Sequence, residues 1–121
     1  MSTIKIGGVE HAVTLPDFAT REELALAFNT HRKNINAVRR IAGAAVALCS
    51  PATKGLGAVY DGLDVIGFGG KAYSHLRDGG ASLPEVMDAG LECIRLCAEA
   101  TFPRDVEEQS RAGFSDPAAE G

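Results

Sequence analysis

Residues 67–80 read Gly-Phe-Gly-Gly-Lys-Ala-Tyr-Ser-His-Leu-Arg-Asp-Gly-Gly. Two kinds of chemistry compete for such a stretch. A glycine loop feeding a helix can hold phosphate on its backbone N–H groups, with Lys71 placed to meet the charge. The same glycines inside a helix remove side chains so that a second backbone can come close, at about 1 kcal/mol each relative to alanine. The first reading gives a nucleotide-binding protein; the second gives a tight helical bundle.

The phosphate loop fails on its own pattern. It needs a glycine five positions before Gly70 and a Ser or Thr after the lysine, and Val65 and Ala72 hold those places. Gly67, Gly69 and Ala72 do satisfy the dinucleotide pattern G-x-G-x-x-A. That pattern belongs at the first βα turn of a large parallel sheet. Here a long helical stretch precedes it, and nothing after it reads as a strand. Helix packing is therefore the expectation, with Leu63, Ile66, Gly70, Tyr73 and Leu76 on one face.

Upstream, Thr3-Ile4-Lys5-Ile6 alternates polar and apolar, Gly7-Gly8 follows, and Val9, Val13 and Leu15 continue the alternation. This predicts a β-hairpin over residues 3–15, because glycine accepts the positive φ of a tight turn. A lone hairpin is marginal in water, so it should lie on the helices. Pro16-Asp17-Phe18 ends the strand, and Thr20 with Glu23 makes a capping box. Leu24, Phe28, His31, Ile35, Val38, Ala42, Ala45 and Cys49 then recur at alternate spacings of four and three. That pattern predicts a helix over about 21–49, with Asn29-Thr30 as the place for a bend.

The run PATKGLGAV reads as a loop, and a helix over about 60–78 follows, opened by Asp61 and Asp64 and stopped by Gly79-Gly80. Ser82 and Glu85 form a second capping box with Pro84 in the first turn, predicting a helix over about 83–100. A last helix is expected over 104–112, and the tail 115–121 is expected to be disordered. The fold class is thus mainly α (α+β), an N-terminal β-hairpin packed on three to four helices, in a single domain spanning 1–114.

Composition agrees with that class. Apolar residues make up 45% of the 121, aromatics only 6%, and there are 14 glycines and no tryptophan. Cores of this kind suit closely spaced helices. Twelve basic against sixteen acidic residues leave a net charge of -4, which argues against a dedicated nucleic-acid binder. Three cysteines argue against a disulfide framework and for a reducing cytoplasm. MSTIKIGGVEH lacks the apolar core of a signal peptide, and the apolar run Ile41–Cys49 is too short to cross a bilayer.

Cys93 and Cys97 share a helix face and could meet Cys49 or His75 around zinc, but the spacing lacks the paired turns of structural zinc sites. Burial in the core is the expectation for them. His11, His31 and His75 are scattered, and no nucleophile elbow is present. No catalytic residue, cofactor or metal is expected. Arg32 with Arg39 and Lys33 with Arg40 are seven apart, so one long helix would place each pair on one side. Such a face binds phosphates or an acidic partner, or simply faces solvent opposite the apolar stripe.

The order of the pieces is informative. TIKIGGVEHAVTL precedes a capped helix, then DVIGFGGKAYSHLRDGGASLPEVMDAG, then PRDVEEQSRAGF. This order resembles the tail assembly chaperones of long-tailed bacteriophages and gene-transfer particles, with an IxIGG-like start and an acidic ending near a final phenylalanine. The resemblance implies a non-enzymatic protein of the bacterial host cytoplasm. It would coat the helical tape measure protein before the tail tube polymerises and be absent from the finished tail. No family motif fixes contact residues; exposure and charge nominate Arg32, Lys33, Arg39 and Arg40, with Phe102 and Phe114. Self-association is compatible with this reading and membrane insertion is not. The alternatives are a permanent virion component such as a small head–tail connector, and a small nucleotide- or metal-binding protein.

Overall fold

Four short polar side chains decide where the helices begin. Asp17, Asn34, Asp64 and Ser82 each accept backbone N–H groups that the first helical turn leaves without partners. The computed structural model describes residues 2–62 and 64–102. Strands β1 (Thr3–Ile6) and β2 (Val9–Ala12) pair antiparallel, Ile4 opposite His11 and Ile6 opposite Val9. Gly7 and Gly8 both take positive φ, 61° and 79°, which closes the hairpin as expected. Helices α1 (Phe18–His31), α2 (Ile35–Cys49), α3 (Val65–Asp78) and α4 (Leu83–Thr101) follow, with two short 3-10 turns between α2 and α3. The molecule is mainly helical with one N-terminal hairpin.

Four boundaries differ from the sequence reading. The hairpin expected over 3–15 ends its second strand at Ala12, and Thr14 already donates its N–H to the Cys49 carbonyl at the end of α2. The single helix expected over 21–49 is two helices. Arg32 to Asn34 interrupt it, with Asn34 in extended geometry (φ -106°, ψ 103°) and its side chain accepting from the N–H groups of Asn36 and Ala37. The break therefore falls after Asn29-Thr30. The first helix starts at Phe18, because the Asp17 carboxylate accepts from the Thr20 N–H at 3.0 Å. Thr20 is a first-turn residue and not the cap. The helix expected from residue 60 starts at Val65, where Asp64 accepts from the Gly67 N–H at 2.9 Å. Only the fourth helix begins where Ser82 and Pro84 placed it. The helix expected over 104–112, the tail 115–121 and Leu63 lie outside the described residues.

Helix α2 runs through the middle of the bundle, with α3 and α4 against different parts of its surface and α1 beside it. Ten of its 15 residues are buried. The contact with α3 is backbone on backbone. A Cβ added at Gly69 would sit 1.9 Å from the Arg40 carbonyl oxygen, and one at Gly43 would sit 2.9 Å from the Gly69 carbonyl oxygen. Helix α4 comes equally close, since a Cβ at Gly90 would lie 2.4 Å from the Ala42 carbonyl oxygen. Within the glycine stretch it is Gly69 that packs on a neighbouring helix; Gly67 and Gly79 meet only residues just before them, and Gly80 meets nothing within 4 Å.

The register of α3 is one residue away from the expected one. The buried residues of α3 are Val65, Phe68, Gly69, Ala72 and Leu76, whereas Ile66, Gly70 and Tyr73 lie half-buried beside them. Nothing approaches a Cβ built at Gly70 more closely than 3.8 Å. The hairpin lies on α4 through β1, which buries Ile4 and Ile6. Each contributes about 1.5–3 kcal/mol by leaving water. The Thr14 N–H donates to the Cys49 carbonyl at 2.8 Å and ties the exit of the hairpin to the end of α2. No helix among the described residues is long and apolar enough to cross a membrane.

Candidate protein-interaction surface

Because α2 and α3 touch backbone to backbone, the side chains bordering their seam are forced together at its edge. Arg39 on α2 places its guanidinium 5.3 Å from the centre of the Tyr73 ring on α3. Arg77, one turn further along α3, reaches back to 5.8 Å from the same ring. The ring's negative face favours both cations. Asn36 accepts from Arg39 Nη2 at 3.2 Å, which fixes the fork. The Arg39 Nε is closed off from water and has no hydrogen-bond partner among the described residues. Arg40 lies beside Gly70, its Nε 3.8 Å from where a Cβ would stand, in the space the glycine leaves.

The outcome is an aromatic ring framed by guanidiniums. The described ion pairs sit elsewhere, on α4, where Arg95 reaches Glu92 at 2.7 Å and Glu99 at 2.6 Å. Planar guanidiniums bind carboxylates through two parallel hydrogen bonds, and Tyr73 adds apolar area. Such a face suits a partly apolar, acidic peptide surface.

Of the residues nominated from sequence, Arg39 and Arg40 belong to this face. Arg32 and Lys33 are exposed in the turn between α1 and α2, so their seven-residue spacing to Arg39 and Arg40 does not run along one helix. Phe102 is the half-buried residue that ends α4, its N–H donating to the Ala98 carbonyl at 2.7 Å. Nearby, Arg21 Nε donates to the Thr101 hydroxyl at 3.3 Å. Phe114 lies outside the described residues. Sequence reasoning missed Tyr73, Arg77 and Asn36. Their signal was the spacing of four between Tyr73 and Arg77 and of three between Asn36 and Arg39, which joins side chains on a helix.

A second surface lies between α1 and the start of α3. Leu26 and Ile66 line a groove of about 440 Å³ that also carries Glu22, Glu23 and Asp64. Helix α1 is apolar around much of its girth: Leu24 and Ala25 are buried, while Phe18 and Leu26 are more than half exposed. The Tyr60 hydroxyl donates to the Glu23 carboxylate, and its ring tilts against Phe68 at 4.9 Å, which holds the loop before α3 onto α1. Burial first, and the bond to Glu23 second, push the Tyr60 phenol above its ordinary range.

The three cysteines meet inside the bundle. Cys49, Cys93 and Cys97 are all buried, and the Cys49 and Cys97 sulfurs lie 3.7 Å apart. The hydrogen bond with Cys93 pushes the Cys49 thiol up, and the bond with Cys49, then burial, does the same for Cys97. Protonated buried thiols of this kind are packing groups and poor nucleophiles.

Compared with protein-family models, curated proteins and solved structures, the chain matches none of them.

Proposed function

We propose that the chain is a non-enzymatic tail assembly chaperone that covers the helical tape measure protein before the tail tube polymerises. The contact surface is the Arg39–Tyr73–Arg77 face. The observation that carries this reading is the placement of two guanidiniums from two helices over one half-buried tyrosine. The order of hairpin, glycine-rich helix and capped helix supports the tail-assembly part. A tape measure helix waiting for its tube exposes apolar stripes that aggregate if left uncovered. Tyr73 offers apolar contact to such a stripe, and the arginines meet carboxylates along its margin. Charge pairs at an exposed face are individually weak, about 0–1 kcal/mol, which suits a partner that must be released later.

Co-expression with the tape measure protein, followed by capture, tests this reading. The double substitution Arg39→Glu with Arg77→Glu should reduce capture about tenfold or more. Lys54→Glu, at an exposed residue in the turn between the two 3-10 segments, should leave it unchanged. Capture that survives the double substitution contradicts the assigned surface. Mass spectrometry of purified particles should find the chain missing; its presence there would make it a structural component.

A further inference from the structure

The groove between α1 and α3 and the turn between α1 and α2 are chemical complements. We propose that each groove holds the turn of a second copy of this chain, in a closed two-fold dimer. The groove is apolar at Leu26 and Ile66 and acidic at Glu22, Glu23 and Asp64. The turn is the reverse. Arg32 and Lys33 are exposed, and Ile35, the first residue of α2, is 62% exposed while most of that helix is buried. An isoleucine held in water just after two cations fits an apolar floor bordered by carboxylates. The charges set register and encounter, and the apolar contact supplies affinity.

The turn cannot lie along its own groove. Helix α1 is unbroken from Phe18 to His31, and His31, which lines the groove's end, is followed directly by Arg32. Groove and turn therefore share one corner of the molecule. Adjoining complementary patches satisfy each other reciprocally across a two-fold axis, and that contact closes at two copies. The dimer uses side chains other than Arg39, Tyr73 and Arg77, so it stands or falls independently of the function proposed above.

Sedimentation equilibrium of the full chain over a concentration series tests it. The wild-type chain should pass from monomer to dimer and go no further. Ile35→Glu should remain monomeric with unchanged thermal unfolding, because Asn34 still caps α2 and a carboxylate in the first turn complements the helix dipole. Glu22→Lys and Lys33→Glu should each weaken the dimer roughly tenfold or more when alone. A one-to-one mixture of those two variants should recover it, since both contacts of the mixed dimer then join opposite charges. A wild-type chain that stays monomeric throughout overturns the proposal and leaves the groove to a foreign helix. So does a dimer indifferent to Ile35→Glu, a mixture that fails to recover, or assembly beyond two copies.

Discussion

Helices α1 and α2 are neighbours of nearly equal length, 14 and 15 residues, yet they dispose of their apolar residues in opposite ways. Helix α2 buries ten residues, most of them Ala, Gly or Val. Helix α1 carries Phe18, Leu24, Leu26 and Phe28 but buries only Leu24 and Ala25. Small residues let α3 and α4 approach α2 to backbone contact, so that α2 vanishes into the bundle. Large residues distributed around α1 have neighbours on one side only, and the remainder face water. Between these two helices, side-chain size decides how closely a neighbouring backbone can approach. What α1 leaves uncovered becomes a surface available to partners.

Substitutions along α1 and at its junction with α2 sharpen or break that contrast. Leu24→Ala should cost about 3 kcal/mol by urea unfolding, since the side chain is fully buried and its loss opens a cavity. A negligible cost would mean that α1 is not anchored through this residue. Asn34→Ala removes the acceptor for two N–H groups and should cost about 1 kcal/mol. Hydrogen exchange at the Asn36 and Ala37 amides should rise with it; unaltered exchange would show that water replaces the cap without loss. Leu26→Ala, at 52% exposure, should change stability by less than about 0.5 kcal/mol. A large loss there would erase the distinction between the two faces of α1.

The hairpin and α4 were legible because each carries two agreeing signals. Gly7-Gly8 lies between alternating strands, and Ser82, Pro84 and the preceding Gly79-Gly80 all mark one start. The α1–α2 break was hidden for a geometric reason. The four-and-three spacing passes from His31 to Ile35 without losing phase, so a three-residue turn leaves no trace in the pattern. The stripe places Ile35 among the buried residues, yet it is exposed. In α3 the kind of role was readable and the register was not. Asp61 and Asp64 are both reasonable helix openers, and two adjacent stripes, one through Gly69 and one through Gly70, are both apolar enough to pack. Which one wins depends on where Arg40 of α2 presents its carbonyl. The same register brings Arg39 to Tyr73, so that pairing was beyond one-dimensional patterns.

Gly69 and Gly70 are neighbours in one helix, and paired urea unfolding of Gly69→Ala and Gly70→Ala tests the backbone-contact account most directly. Gly69→Ala drives a methyl group into the Arg40 carbonyl and should destabilise by about 2 kcal/mol or more, even after the gain in helix propensity. Gly70→Ala meets only the Arg40 side chain and should stabilise by up to about 1 kcal/mol. Opposite signs at adjacent positions are the predicted result. Equal gains at both would mean that α2 and α3 do not touch backbone to backbone, and the fold described above would be wrong.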